Sequence, residues 1–248
     1  MTHQVTAPTT QERALALLWG GGARGSRGPA RGLTVERIVD AAIEVVERDG
    51  PAAMSLRRVA AHLGVGVASL YTYVPGRAEL EALMLDAVAV GRILPHERPG
   101  SWRDKLEALA LDDWQEIRQH PWVLQLGAAE QVPGPNMLRW LDSALRIFED
   151  TGLSEAEKLS VIESVDAYVR GLGRLRTEAA GPWDEESGIA PEIQQRDHAL
   201  GHLVDFDRYP ALQRALQAGA RPYSGDRFTF GLQRLLDGIE QLVDSRAG

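Results

Sequence analysis

Residues 55–77, SLRRVAAHLGVGVASLYTYVPGR, hold the side chains of this chain best suited to recognising a charged, hydrogen-bonding surface. Ser55, Arg57, Ser69, Tyr71, Thr72, Tyr73 and Arg77 supply hydroxyl donors and acceptors together with fixed positive charge. No nucleophile, base and orienting group converge here or elsewhere. The chain has no cysteine, which excludes disulfides and thiol catalysis and fits a reducing cytoplasm. His198 and His202 have the i, i+4 spacing of a metal pair, but they lack the glutamate of a HExxH helix and fall in a loop-like stretch. GGGARGSRG, residues 20–28, lacks the Lys-Ser/Thr of a phosphate loop, and no strand precedes it; there is no Gly-x-Ser-x-Gly elbow. The expectation is therefore binding without catalysis, metal or cofactor.

The elements that must position these side chains are short helices. Ser55 can cap one, in which Leu56, Val59, Ala60 and Leu63 recur at helical spacing. Gly64-Val65-Gly66 interrupts it, because glycine tolerates the positive φ of a tight turn. A second helix over 67–73 turns Val67, Leu70 and Val74 inward and leaves Ala68, Ser69, Thr72 and Tyr73 outside. Two short helices, a glycine turn and a polar outer face make a helix-turn-helix, whose second helix fits a DNA major groove. Before it, Thr34 starts a helix in which Ile38, Ala41, Ala42, Val45 and Val46 form one stripe, ended by Gly50-Pro51. Leu33 with Ile38, and Met54 with Val59, are spaced as hydrophobic staples. Arg58 is expected to face solvent or pair with an acid. A further helix over 77–91 should run from the DNA-binding head into the body, with Arg77 on a phosphate beside its positive end.

Residues 33–92, with the junction LYTYVPGRAEL, resemble the DNA-binding domain of the tetracycline-repressor (TetR) family. The resemblance implies that Arg57 reaches a base edge and that Val67, Ala68, Ser69, Tyr71, Thr72 and Tyr73 contact DNA; Ser55 and Arg77 complete the DNA-binding residues expected in the head. Ser69 and Thr72 are expected near base edges, and the tyrosines on phosphates or thymine methyls; packing within the head is the other reading for one tyrosine, Tyr71 foremost. The resemblance also implies that helix 77–91 transmits ligand state and that the long helices 154–180 and 227–243 pair with their twofold mates. Burial of both stripes inside one subunit is the plainer alternative. A small-molecule inducer bound in the body completes what the family implies. Trp114, Trp122 and Trp140 on converging helices, with Asn136, Asp166 and Tyr168, would suit a hydrophobic or aromatic compound; core packing is the competing account of the tryptophans.

The 248 residues carry a net charge of −8, yet residues 1–77 hold nine Arg and no Lys against six Asp/Glu, a balance of +3 that leaves −11 for the rest. A basic end on an acidic chain places nucleic-acid contact at that end. Residues 1–32 read as a flexible basic arm, in which Arg24, Arg27 and Arg31 either enter a minor groove or remain solvated. ALALLWGGGA, residues 14–23, is too short for a membrane span and lacks the basic leader of a secretory signal. From residue 102 onward, helical spacing recurs over 102–119, 136–151, 154–180 and 227–246, with a loop over 181–226 that holds one helix at 210–219. The expected protein is all-α: arm 1–32, helix-turn-helix head 33–92, ligand and dimerisation body 93–248. Its partners are double-stranded DNA, a second copy and an inducer, without a membrane; a ligand-independent activator or architectural DNA-binding protein is the alternative.

Overall fold

The computed structural model describes residues 8–20, 32–89, 93–126, 132–178, 195, 198–201, 203–220 and 226–247. Among these every regular element is helical, and no helix is long and apolar enough to cross a membrane. The chain divides by packing into two compact units, Met1–Glu149 and Asp150–Gly248.

The first unit opens with a helix where the sequence reading placed arm. Helix α1 (Thr10–Trp19) starts in a capping box: the Glu12 amide donates to Thr9 Oγ1 at 3.2 Å, and the Thr9 amide donates to Glu12 at 2.7 Å. Ala14 and Leu18 are buried in the core of the unit, so apolar spacing and cap together overcome the entropy that was expected to keep residues 10–19 loose. Arg24, Arg27 and Arg31 lie outside the described residues.

Helix α2 (Val35–Asp49) is capped by Thr34, whose hydroxyl oxygen accepts from the Arg37 amide at 3.2 Å, and it buries Ile38, Val39, Ala41, Ala42, Val45 and Val46. A 3₁₀ turn (Pro51–Ala53) leads into α3 (Leu56–Leu63). Helix α4 (Val67–Tyr71) is shorter than the expected 67–73. Leu70 and Val74 are fully buried as expected, but Val67 is 36% exposed. Five helical residues after a glycine turn give the inward stripe room for Leu70 and not for Val67 as well. Helix α5 (Arg77–Val88) packs Leu80, Leu83 and Met84 into the same core, and α6 (Trp102–Gln119) buries Leu106, Leu109, Ala110 and Ile117. A 3₁₀ turn (Pro121–Leu124) follows, and α7 (Pro135–Arg146) completes the unit.

The second unit rests on α8 (Glu155–Glu178), α9 (Pro210–Gln217) and α10 (Arg227–Ala247). Ile162, Val165 and Val169 on α8 are buried, as are Leu232, Leu236 and Ile239 on α10. The two helices are antiparallel. Tyr168 Oη donates to the carbonyls of Arg227 and Phe228 at 2.8 and 2.9 Å at the start of α10, while Glu157 near the start of α8 meets Arg246 at the end of α10. The Arg246 guanidinium, then the Ser154 amide and hydroxyl, lower the Glu157 pKa from 4.5 to about 2. A depressed carboxylate pKa stabilises above the unfolded value and loses that contribution as pH falls through the folded one. The stability difference between the native chain and Arg246→Ala is therefore expected to be constant above about pH 4.5 and to close toward pH 2 in acid-denaturation curves. A difference that persists at pH 2 would place the origin in packing.

Candidate nucleic-acid interface

The turn between α3 and α4 is fixed by the backbone. Gly64 has φ +69°, and the ladder closes with Gly64 N donating to Ala61 O at 3.2 Å and Val65 N to Ala60 O at 3.0 Å. This is the paired-bond helix ending that favours glycine, since an L side chain is strained in that conformation. It ends α3 sharply and lets α4 leave with Ala68, Ser69, Tyr71 and Thr72 exposed.

Among the described residues the Arg57 side chain has no hydrogen bond or ion pair, and it is exposed in the first turn of α3. Its neighbour Arg58 is held by Asp49, Nη2 to Oδ2 at 2.9 Å. The two arginines thus separate as the sequence reading expected, with Arg57 open for an incoming acceptor. Ser55 is a cap, its Oγ accepting from the Arg58 amide at 3.3 Å. Thr72 Oγ1 donates to Ala68 O at 3.4 Å, a long bond that water or a base could replace. Tyr71 is 53% exposed, as a DNA contact requires, whereas Tyr73 packs against the core of the unit, so the tyrosine that packs is Tyr73 and not Tyr71. Tyr73 follows the last residue of α4 by two, and the turn there swings its ring onto the core.

Two acids of α2 face histidines. Glu44 lies 2.7 Å from His62 Nε2, and Glu47 lies 2.8 Å from His120 Nδ1, out of line for a hydrogen bond.

Arg77 departs from the expectation of a phosphate contact. Its Nε donates to Glu81 at 2.7 Å, its Nη1 to Met54 O at 3.0 Å and its Nη2 to Pro51 O at 3.1 Å. At the other end of α5, the buried Asp86 accepts from Asn136 Nδ2 at 2.8 Å, from the Met137 amide at 2.9 Å and from the Asn136 amide at 3.4 Å. Those amides are the second and third of α7, so a residue of α5 caps α7 from 50 positions away in sequence.

The residues considered for a ligand fall in both units. In the first, Trp114 and Trp140 are half-buried, Trp122 is buried in the core shared with α1 and α5, and Asn136 is tied to Asp86. In the second, Asp166 pairs with Arg170 at 2.7 Å, and the Tyr168 hydroxyl is held by the α10 carbonyls, with burial pushing its pKa up. Asn136, Asp166 and Tyr168 thus have their polar atoms engaged within the fold. Trp122 Nε1 is buried without a hydrogen-bond partner.

An unpartnered arginine and a short helix with a polar, exposed face, set on a buried helical frame, define a helix-turn-helix DNA-binding regulator. Its N-terminal part matches the bacterial regulatory proteins of the tetR family over residues 38–82, and residues 94–243 match the tetracyclin repressor-like C-terminal domain. The chain belongs to the TetR family of transcriptional regulators. It is 37% identical over 256 residues to the HTH-type transcriptional repressor DrrR1 of Streptomyces coeruleorubidus, covering 95% of this chain and 88% of that protein. The crystal structure of apo ActR from Streptomyces coelicolor superposes with a TM-score of 0.73 at 22% identity, covering 89% of this chain and 99% of ActR. The complex of ActR with actinorhodin gives 0.72 at 23% identity, covering 84% and 96%.

Proposed function

We propose that this chain is a cytoplasmic, homodimeric repressor that leaves a palindromic operator when its body binds a small-molecule inducer. The observation that carries the DNA part is the open Arg57 beside the exposed α4 face, in a chain 37% identical to a named repressor along nearly its whole length. A second copy is called for because a single head reads one half-site, and two half-sites a helical turn apart need a twofold protein. Leu159 and Leu175 on α8 and Phe230 on α10 support the pairing: they stay exposed, Phe230 at 68%, although their helices bury other apolar residues within the unit. The inducer reading rests on the family and on ActR, which shares the fold and is crystallised with actinorhodin. The half-buried Trp114 and Trp140 favour a hydrophobic or aromatic compound.

Arg57→Ala is expected to weaken operator binding by about 1–3 kcal/mol per subunit, the usual worth of a bidentate arginine–guanine contact. A gel shift against the intergenic DNA beside the gene measures it. Binding unchanged by Arg57→Ala would remove the assigned reading face. A panel of aromatic compounds that neither raises the melting temperature nor releases DNA would favour a ligand-independent regulator.

A further inference from the structure

We propose that Arg77 is a positioning residue for DNA binding: it clamps the start of α5 to the segment that enters α3 and so sets where Arg57 and α4 stand, and it is not a phosphate ligand. The inference rests on the DNA-binding reading above and goes beyond it, since it assigns the side chain a role through its bonds within the head.

Three of the guanidinium's donors are in use. Nη1 reaches Met54 O at 3.0 Å and Nη2 reaches Pro51 O at 3.1 Å, acceptors just after and at the start of the 3₁₀ turn before α3. Nε is held by Glu81 at 2.7 Å, one turn further along α5, and the Glu81 side chain is only 17% exposed. The bonded carbonyls lie one and four residues before Ser55, the cap of α3, and Arg57 follows that cap by two. The Met54 side chain is itself buried, so the turn cannot yield without disturbing the core. Any tilt of α5 is thereby delivered to the first turn of α3.

Charge placement points the same way. A cation in the first turn of a helix faces the positive end of the macrodipole, an unfavourable position unless an anion accompanies it. Here Glu81 at i+4 is that anion, which removes the need for a phosphate. The geometry also demands a planar fork: one ammonium cannot hold two carbonyls and a carboxylate in these three directions.

The two roles make opposite predictions for two conservative variants of the full chain, read by operator affinity across a salt series. As a positioning residue, Arg77→Lys weakens operator binding about tenfold, the worth of roughly one charged hydrogen bond, and leaves the slope of log K against log salt unchanged. Glu81→Gln then also weakens binding, because the clamp loses its anion. As a phosphate ligand, Lys would preserve affinity and slope, and Glu81→Gln would tighten binding by freeing Arg77 from its acid. Either of those results overturns the proposal. Arg77→Ala adds a third readout, since loss of a phosphate contact lowers the slope by about 0.9 per subunit and loss of a clamp does not. Melting curves taken alongside confirm that each variant is folded, and Glu81→Gln carries the test if Arg77→Lys is not. Arg57→Ala serves as the control: if it too leaves binding unchanged, the reading face has failed and not the clamp.

Discussion

Deletion of residues 1–20 is expected to destabilise the first unit by about 3–5 kcal/mol, although most of the arm's arginines are retained. Burying a leucine contributes about 1.5–3 kcal/mol, and Leu18 is 9% exposed, with Ala14 beside it at 2%. The same deletion removes Arg13, whose Nε lies 2.7 Å from Glu79, a carboxylate on a side chain only 3% exposed. Breaking one side of a buried ion pair costs about 3–5 kcal/mol, but Arg13 is 39% exposed, and solvent screening reduces its share to about 1–2 kcal/mol. The Trp19 Nε1 bond to Pro133 O at 3.0 Å is lost as well. For a chain of this size each kcal/mol moves the midpoint by about 2–4 °C, so a fall of roughly 10 °C is expected. Calorimetry of the truncated chain decides the matter: an unaltered midpoint would make α1 a passenger, and DNA effects of the truncation would then belong to an arm. Arg13→Ala alone should account for less than half of the fall.

What the sequence made legible was local. The caps Thr34 and Ser55 and the turn at Gly64 each involve residues within six positions of one another, and each stands in the structure as read. The role expected of Arg57 came from the family resemblance; that Arg58 pairs with an acid stands in the structure, where Asp49 at the end of the preceding helix takes it. Helix α1 was legible and missed: Thr9-x-x-Glu12 ahead of Ala14, Leu15, Leu17 and Leu18 is a capping box before an apolar run, masked by the Gly- and Arg-rich stretch after it. Tyr73 and Val67 went the wrong way because α4 is a single turn and a half, too short for periodicity to fix its faces. The long-range polar bonds had no signal at all. Arg77 finds acceptors 23 and 26 residues upstream, Tyr168 finds them 59 and 60 downstream, and Asp86 finds its amides 50 and 51 ahead. Those distances in sequence are why the partners that hold Arg77, Asn136 and Tyr168 within the fold could not be read from it.

Gly134→Ala is expected to destabilise the first unit through a contact with Asp86. Gly134 is the N-cap of α7, with φ −88° that any residue adopts, so the constraint is space and not backbone conformation. A Cβ there would fall inside van der Waals contact of Asp86 Cγ and both carboxylate oxygens. Asp86 is 5% exposed and cannot retreat into solvent without leaving the Asn136 and Met137 amides unpaired. Loss of a cap costs about 0.5–2 kcal/mol and an unsatisfied buried polar group about 1–3 kcal/mol, so about 2–4 kcal/mol is expected from the glycine change. Asp86→Ala should cost about as much, since it removes the acceptor that the methyl only displaces. The two changes act on one contact, which makes their combination diagnostic. With Asp86 already truncated, the alanine methyl meets no carboxylate, and the double variant is expected to be no less stable than Asp86→Ala alone. A denaturant-unfolding cycle over the four proteins tests this, and simple additivity would sink the argument. Because Asp86 lies nine residues beyond Arg77 on α5, the same cycle measured by operator affinity asks how firmly the frame holds the helix on which the head is clamped. If Asp86 anchors α5, Asp86→Ala should lower operator affinity, and Gly134→Ala in that background should lower it no further.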